Sequence, residues 1–433
     1  MSTGSRGLPP VTSVSRIKTM PLLPLLPART SHARERLSSA YADACTDFLQ
    51  RLVSTPSPSG QEADVARLVA DEMRALGFRD VRIDDVGNVV GWLGAKQGPI
   101  LLVDGHLDTA AVGDPTAWEV DPFGGEIREG RLYGLGSVDA KGSLAAMIYG
   151  LGLLARSNDA LPGQILVVAV VQEEPAEGLA LQAALNALDL LPDWTLIAKP
   201  TEMRLVRGHR GRMEVRLSTF GRTAHSAMPE QGDNALYAAA RLVFGIELLG
   251  MNLMKDPVLG QGTIAITRFT THSSAHNAIP DRCDLTIDRR ITLGETASRV
   301  LAELDTLIQR EGVRAQARIA HYQQNSYTGY KLAADAHYPA WLLPEDHPLL
   351  VQAVASMERS LGHKPEVGIW RFSSDGVYTV GLAGIPTIGF GPGRSLLSHA
   401  PNESIQLAEV HRSIPLYADL ARDLLFGLSN LKR

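Results

Sequence analysis

The chain has 433 residues, 45% of them hydrophobic and 21% charged, which is too long for one ordinary core and suits two globular domains. A formal net charge of −5 offers no basic surface to a polyanion, so nucleic acid is not an expected partner. Two cysteines, Cys45 and Cys283, cannot build a disulfide framework or a cysteine-rich zinc site, which fits a reducing, cytoplasmic setting, and no apolar run approaches the roughly 20 residues of a membrane span.

Residues 1–36 are rich in Pro, Ser and Arg, with no acidic residue before Glu35, and are expected to form a disordered tail. The run from Met20 to Pro27 is too short and too broken by proline for a signal sequence, and an organelle transit peptide, which shares the Arg and Ser bias, is the alternative. Ser59-Gly-Gln-Glu62 then reads as a capping box. Val65, Leu68, Val69, Met73 and Leu76 follow at helical spacing, and Gly77 supplies the stop. Short apolar runs come next, at 100–103, 165–171, 195–198 and 385–390, separated by helices. Runs without alternation predict strands buried on both faces, hence an α/β domain with a mainly parallel sheet flanked by helices.

Between Gly211 and Tyr322 the pattern changes. Residues 213–220 and 283–291 alternate loosely, and 234–249 and 295–309 read as helices, enough for a small α+β domain. A helix at 348–361 and the 385–390 strand then resume the first sheet. The expected organisation is one α/β domain made of 37–210 and 323–433, with 211–322 inserted as a second, smaller domain.

Chemistry-bearing side chains fall just after the buried strands. His106 and Asp108 follow the first run, Glu173 and Glu174 the second, and His399 lies in the loop after the last. In open α/β sheets the functional crevice lies at the carboxyl ends of strands. Asp139 sits in a glycine-rich helix entry, Gly136-Ser-Val-Asp-Ala-Lys-Gly142. Two imidazoles and several carboxylates without a thiolate suit zinc, with cobalt or manganese as alternatives. Singly, each piece has a bland reading: a lone histidine at a strand end is more often structural, and a Glu-Glu pair is usually solvated. A dinucleotide loop at Gly134-Leu-Gly136 is set aside, because Asp139 would point negative charge at a pyrophosphate. The conjunction in this order carries the argument.

Gly105-His-Leu-Asp-Thr109, Gly134-Leu-Gly-Ser-Val-Asp-Ala-Lys-Gly142, Gln172-Glu-Glu174 and Ser398-His-Ala-Pro-Asn-Glu403 together resemble the two-zinc peptidases and deacylases that include acetylornithine deacetylase, succinyl-diaminopimelate desuccinylase and glutamate carboxypeptidase. The likeness covers about residues 40–430. It is nearest to the selenium-metabolism-linked hydrolase subgroup, through Arg207-Gly-His-Arg-Gly-Arg-Met-Glu-Val215, Gly232-Asp-Asn-Ala235, Ile287-Asp-Arg-Arg290 and Ile385-Pro-Thr-Ile-Gly-Phe-Gly-Pro-Gly393. The resemblance implies a zinc-peptidase-like catalytic domain (37–210 and 323–433) with a ferredoxin-like inserted domain (211–322) that acts as a lid and carries a homodimer contact, and a small-molecule amide substrate. It implies that Asp139 bridges two metals, that Glu174 and His399 complete one site, and that His106 holds the other. Asp108 would orient His106, and Glu173 would be the general base. In the inserted domain it implies that His225 serves a neighbouring active site and that Asn277 and Arg290 hold substrate; their bland readings are a loop-capping asparagine and a surface arginine.

One position departs from the family. A ligand carboxylate is expected before Pro-Thr in Ile197-Ala-Lys-Pro-Thr201, and Lys199 stands there. An ammonium cannot ligate a cation and repels it. Four readings stay open: a single metal with Lys199 standing for the other's charge, a carboxylated Lys199, Glu202 as a substitute ligand, or an inactive or chemically altered descendant. The expected function is hydrolysis of an amide bond in an N-acyl amino acid or small peptide-like substrate. The rival from another class is a non-catalytic binding or regulatory protein on the same fold.

Overall fold

The computed structural model describes residues 31–157 and 159–429, with side chains from Ala40 onward. Of the expected tail, residues 1–30 lie outside the described residues, and the first helix is Ser31–Val53. A nine-stranded sheet runs, edge to edge, Arg79–Ile83, Val89–Gly94, Gln164–Val170, Ile100–His106, Trp194–Ala198, Thr387–Phe390, Leu205–His209 and Trp341–Leu342, with Val367–Trp370 also paired to Leu205–His209. The four strands from Gln164–Val170 to Thr387–Phe390 are mutually parallel, and the margins are mostly antiparallel. The central strands are apolar along their length because helices shield them from water.

Ser31–Val53, Gly142–Ala155, Pro348–Leu361 and Leu407–Ser429 pack on one another, while Ala63–Ala75 and Leu179–Leu188 lean on outer strands. Helix Gly142–Ala155 approaches Leu407–Ser429 closely at Gly150, where an added Cβ would sit 2.5 Å from the carbonyl oxygen of Ile414. One stretch comes nearer to a membrane span than composition suggests. Ser137–Ala155 is 19 residues long and apolar enough to qualify, but 89% of it is buried inside this fold, as expected of a core helix.

The second sheet is antiparallel, ordered Thr263–His272, Arg282–Ile291, Gly211–Phe220, Ala315–Ile319. The helices Ala235–Gly250 and Ala297–Glu311 follow the first and third of its strands in the chain, which gives the β-α-β-β-α-β order of a ferredoxin-like domain. Met213, Val215 and Leu217 meet Leu285, Ile287, Leu242 and Leu304 in its own core. His337–Tyr338, on the returning segment, pairs with Gly211–Phe220. The two chain crossings therefore lie side by side at Gly211, where a Cβ would meet the Tyr338 carbonyl oxygen at 2.3 Å.

One local expectation is corrected. The 59–62 capping box does not form. Glu62 accepts the N–H groups of Gly60 and Gln172 at 2.9 and 3.0 Å, Ser59 donates its hydroxyl to Asp108 at 2.6 Å, and helix Ala63–Ala75 starts without a capping side chain. The site described below has taken both residues. The strand that begins at Ile100 runs on to His106, its last residue. Strand alternation then places it on the same face as Asp104.

Candidate metal centre and active site

The strand Ile100–His106 delivers Asp104, His106 and, two residues on, Asp108, all essentially inaccessible to solvent. His106 places Nδ1 3.0 Å from the Asp108 carbonyl oxygen and Nε2 3.1 Å from Asp139 Oδ1. The ring is thus oriented chiefly by the main chain of Asp108; the Asp108 carboxylate stands farther off, at 3.4 Å. That carboxylate instead accepts the N–H groups of Glu173 and Glu174 at 3.1 and 3.2 Å. Asp108 therefore fixes the Glu173-Glu174 turn as well as His106, a double role the sequence did not announce.

Asp139 leaves the wide turn Ser137–Lys141, whose N–H groups at Val138 and Asp139 bind Glu403 Oε1 at 2.8 and 3.1 Å. Its two oxygens face different neighbours. Oδ1 points to His106 and to Lys199 Nζ, 3.6 Å away, whereas Oδ2 lies 3.7 Å from His399 Nε2. His399, held at a φ of 60°, places Nε2 3.1 Å from Glu174 Oε1. One ligand atom each from Asp139, Glu174 and His399 lies within 4.8 Å of the others. Two carboxylates and an imidazole at that spacing fit a divalent metal with an open position. The hydrogen bond to Glu174 raises the His399 pKa to about 9, so metal binding there must displace a proton.

On the Oδ1 side of Asp139 stands an ammonium group. Lys199, at the end of Trp194–Ala198, is buried and donates to both oxygens of Glu173, at 2.8 and 2.9 Å. Its Nζ also stands 5.5 Å from the Phe372 ring centroid. Burial alone would push the ammonium pKa down, but Asp139, Glu173 and Glu174 outweigh it and hold the group well above the ordinary lysine value. Burial pushes the Glu173 carboxyl up to about 8, against the opposing pull of Lys199 and His106. Glu202 lies elsewhere: it is half-exposed beside Arg204, in a surface recess with Met203, Leu361 and His363.

The inserted-domain candidates do not join this cluster within the chain. His225 Nε2 is 3.2 Å from the Asn277 amide, and among the described residues neither hydrogen-bonds to His106, Asp139, Glu173, Glu174, Lys199 or His399. Arg290 pairs with Asp288 at 2.8 Å. Several contributors were missed from sequence. Arg210 donates to the carbonyl oxygens of Arg371 and Gln261, and its pKa is lowered by burial and by the charges of Arg290 and Arg371. Phe372 and Asp375 lie on the same loop as Arg371, and Asp375 lies against Asp104 beneath the site. A Ser373-Ser-Asp-Gly376 turn straight after a strand was the one local signal for them.

A parallel sheet with carboxylates and imidazoles at its strand ends, under a ferredoxin-like second domain, defines a metal-dependent hydrolase of amide bonds. The chain belongs to peptidase family M20/M25/M40, whose model matches residues 102–423. It is 34% identical over 383 residues to the uncharacterized protein YgeY of Escherichia coli (strain K12), covering 87% of this chain and 94% of that one. It is 28% identical over 407 residues to succinyl-diaminopimelate desuccinylase 2 of Ruegeria sp. (strain TM1040), covering 90% and 98%. The fold matches the M20 family metallo-carboxypeptidase Sso-CP2 from Sulfolobus solfataricus with a TM-score of 0.70 at 16% identity, over 89% of this chain and 99% of that one.

Proposed function

We propose that this hydrolase cleaves the amide bond of an N-acyl amino acid or small peptide-like substrate with one metal per chain, held by Asp139, Glu174 and His399. The observation that carries the reading is the convergence of those three ligand atoms beside a charged Lys199. Zinc suits the donor set best, with cobalt or manganese as substitutes. A bound metal supplies a Lewis acid that polarises the scissile carbonyl and acidifies water. Glu173 takes the proton from the attacking water and returns it to the leaving amine. Lys199 holds both Glu173 oxygens and favours their ionised form against the effect of burial. Arg210, Arg290 and Arg371 supply positive charge suited to a free substrate carboxylate, and only Arg290 has a carboxylate partner among the described residues. The test is a panel of N-acetyl and N-succinyl amino acids and dipeptides, run beside elemental analysis. Turnover of at least one class is expected, lost on chelation and restored by zinc. A protein that binds metal and panel members but turns none over would favour the non-catalytic reading.

We also propose a homodimer through the inserted domain. Tyr237, Phe244, Leu248 and Met251 are exposed at 70, 67, 55 and 69%, and their spacings of 7, 4 and 3 put them in one stripe on and just past helix Ala235–Gly250. Strand Thr263–His272 lies at the edge of the same sheet. In that assembly the partner's His225 completes the neighbouring site. Mixing inactive His225→Ala chains with inactive Glu173→Ala chains should then recover about a quarter of full activity, since random pairing makes half the dimers mixed, each with one intact site. A monomer in sedimentation that is fully active would end this proposal.

A further inference from the structure

The loop that carries Glu174 is gripped from the inserted domain. Along Gly211–Phe220, Met213, Val215 and Leu217 point into that domain's own core, and Arg212 alternates to the opposite face. Its Nη2 donates to the Pro175 carbonyl oxygen at 2.9 Å and to Glu177 Oε2 at 2.6 Å. Pro175 directly follows Glu174. The guanidinium stacks 4.5 Å from the Tyr338 ring centroid, and the Tyr338 hydroxyl donates to the same Pro175 oxygen at 3.1 Å. Tyr338 belongs to the returning chain crossing, so both crossings hold one carbonyl.

The grip extends inward. Glu177 accepts the Ser373 hydroxyl through its other oxygen, and Asp375 accepts the Gly178 N–H, which ties the 172–178 loop to the loop that bears Phe372 under Lys199. Arg212 and Glu177 are 13 and 7% exposed, so this ion pair is largely desolvated and its geometry is enforced rather than optional. Burial favours a neutral Glu177, but Arg212 overrides it and holds the carboxyl below its ordinary range. Glu174 is thus fixed on one side through its N–H on Asp108, and on the other through the carbonyl of the next residue on Arg212 and Tyr338.

We propose that Arg212 is a positioning residue that sets the place of Glu174 in the metal centre and the seat of the inserted domain through one guanidinium. This rests on Glu174 being a metal ligand, as proposed above. Lysine at this position would keep the charge but lose the planar fork that serves a carbonyl and a carboxylate together.

The test uses full-length chains carrying Arg212→Met, Arg212→Lys or Tyr338→Phe, with Glu174→Ala as reference. Zinc affinity is read by competition with a chelating dye, kcat and KM separately on the best panel substrate, and amide hydrogen exchange over 172–178. Arg212→Met should weaken zinc binding ~10–100-fold, the range for groups that orient a ligand, and lower kcat similarly while KM moves much less. Arg212→Lys should recover part of both losses, and Tyr338→Phe should shift them slightly in the same direction, with faster exchange in the loop. Folded Arg212→Met with zinc affinity and kcat within twofold of the parent, beside a large loss in Glu174→Ala, overturns the role of Arg212 alone. Unchanged zinc affinity in Glu174→Ala overturns the ligand assignment and this inference with it. If Arg212→Met does not fold, parental affinity and exchange in both other variants overturn the proposal.

Discussion

Glu173→Gln should lower kcat by ~10²–10⁴-fold, the range for loss of a positioned general base, while metal content stays near that of the parent. Glu173 is the carboxylate beside the metal-holding trio that is not part of it: its oxygens go to Lys199 at 2.8 and 2.9 Å, with His106 Nε2 at 3.8 Å. Glutamine keeps the shape and one acceptor for the Lys199 ammonium, so the cluster should hold while the proton-accepting step is lost. Circular dichroism and elemental analysis would separate that outcome from unfolding. Loss of metal with activity retained would show that the roles of Glu173 and Glu174 are exchanged.

The second large effect is in stoichiometry. The natural protein should bind close to one metal tightly per chain, and Lys199→Glu should raise that toward two. The substitution changes local charge by two units, from +1 to −1, at a point 3.6 Å from Asp139 Oδ1. It would give His106 and Asp139 the third ligand that a tight site generally needs. A carbamate would turn Lys199 into an anionic ligand and make a second site, whereas the single-metal reading expects added bicarbonate to change neither metal content nor rate. Two tightly bound metals in the natural protein would refute the single-metal reading, and a bicarbonate response would then point to carboxylation.

How much of this was legible in the chain depends on range. The buried strands, and His106, Asp139, Glu174 and His399 near their ends, could be read because each lies in a short phrase that marks its own local structure. Lys199 was visible for the same reason, as the wrong charge in a familiar phrase. What stayed hidden was partnership. Asp104 and Asp375, or Arg212 and Glu177, are brought together only by tertiary packing, and neither member of a pair has a local pattern that names the other. Ser59 and Glu62 show the opposite failure. Their spacing fits a capping box, but Asp108 and the turn at Gln172 offered buried partners, and tertiary context overrode the local rule.

The ammonium at the heart of the cluster is tied to the backbone by a covalent chain. An ion recruited from solution arrives by mass action and leaves when the medium is depleted; a lysine side chain cannot diffuse away. Folding alone installs the positive charge opposite Asp139 Oδ1 and Glu173, in a fixed ratio of one per chain, whatever the surrounding ionic supply. On the proposed single-metal reading, only the Oδ2 side of Asp139 exchanges with the medium, and competition between metal ions is confined to that one seat.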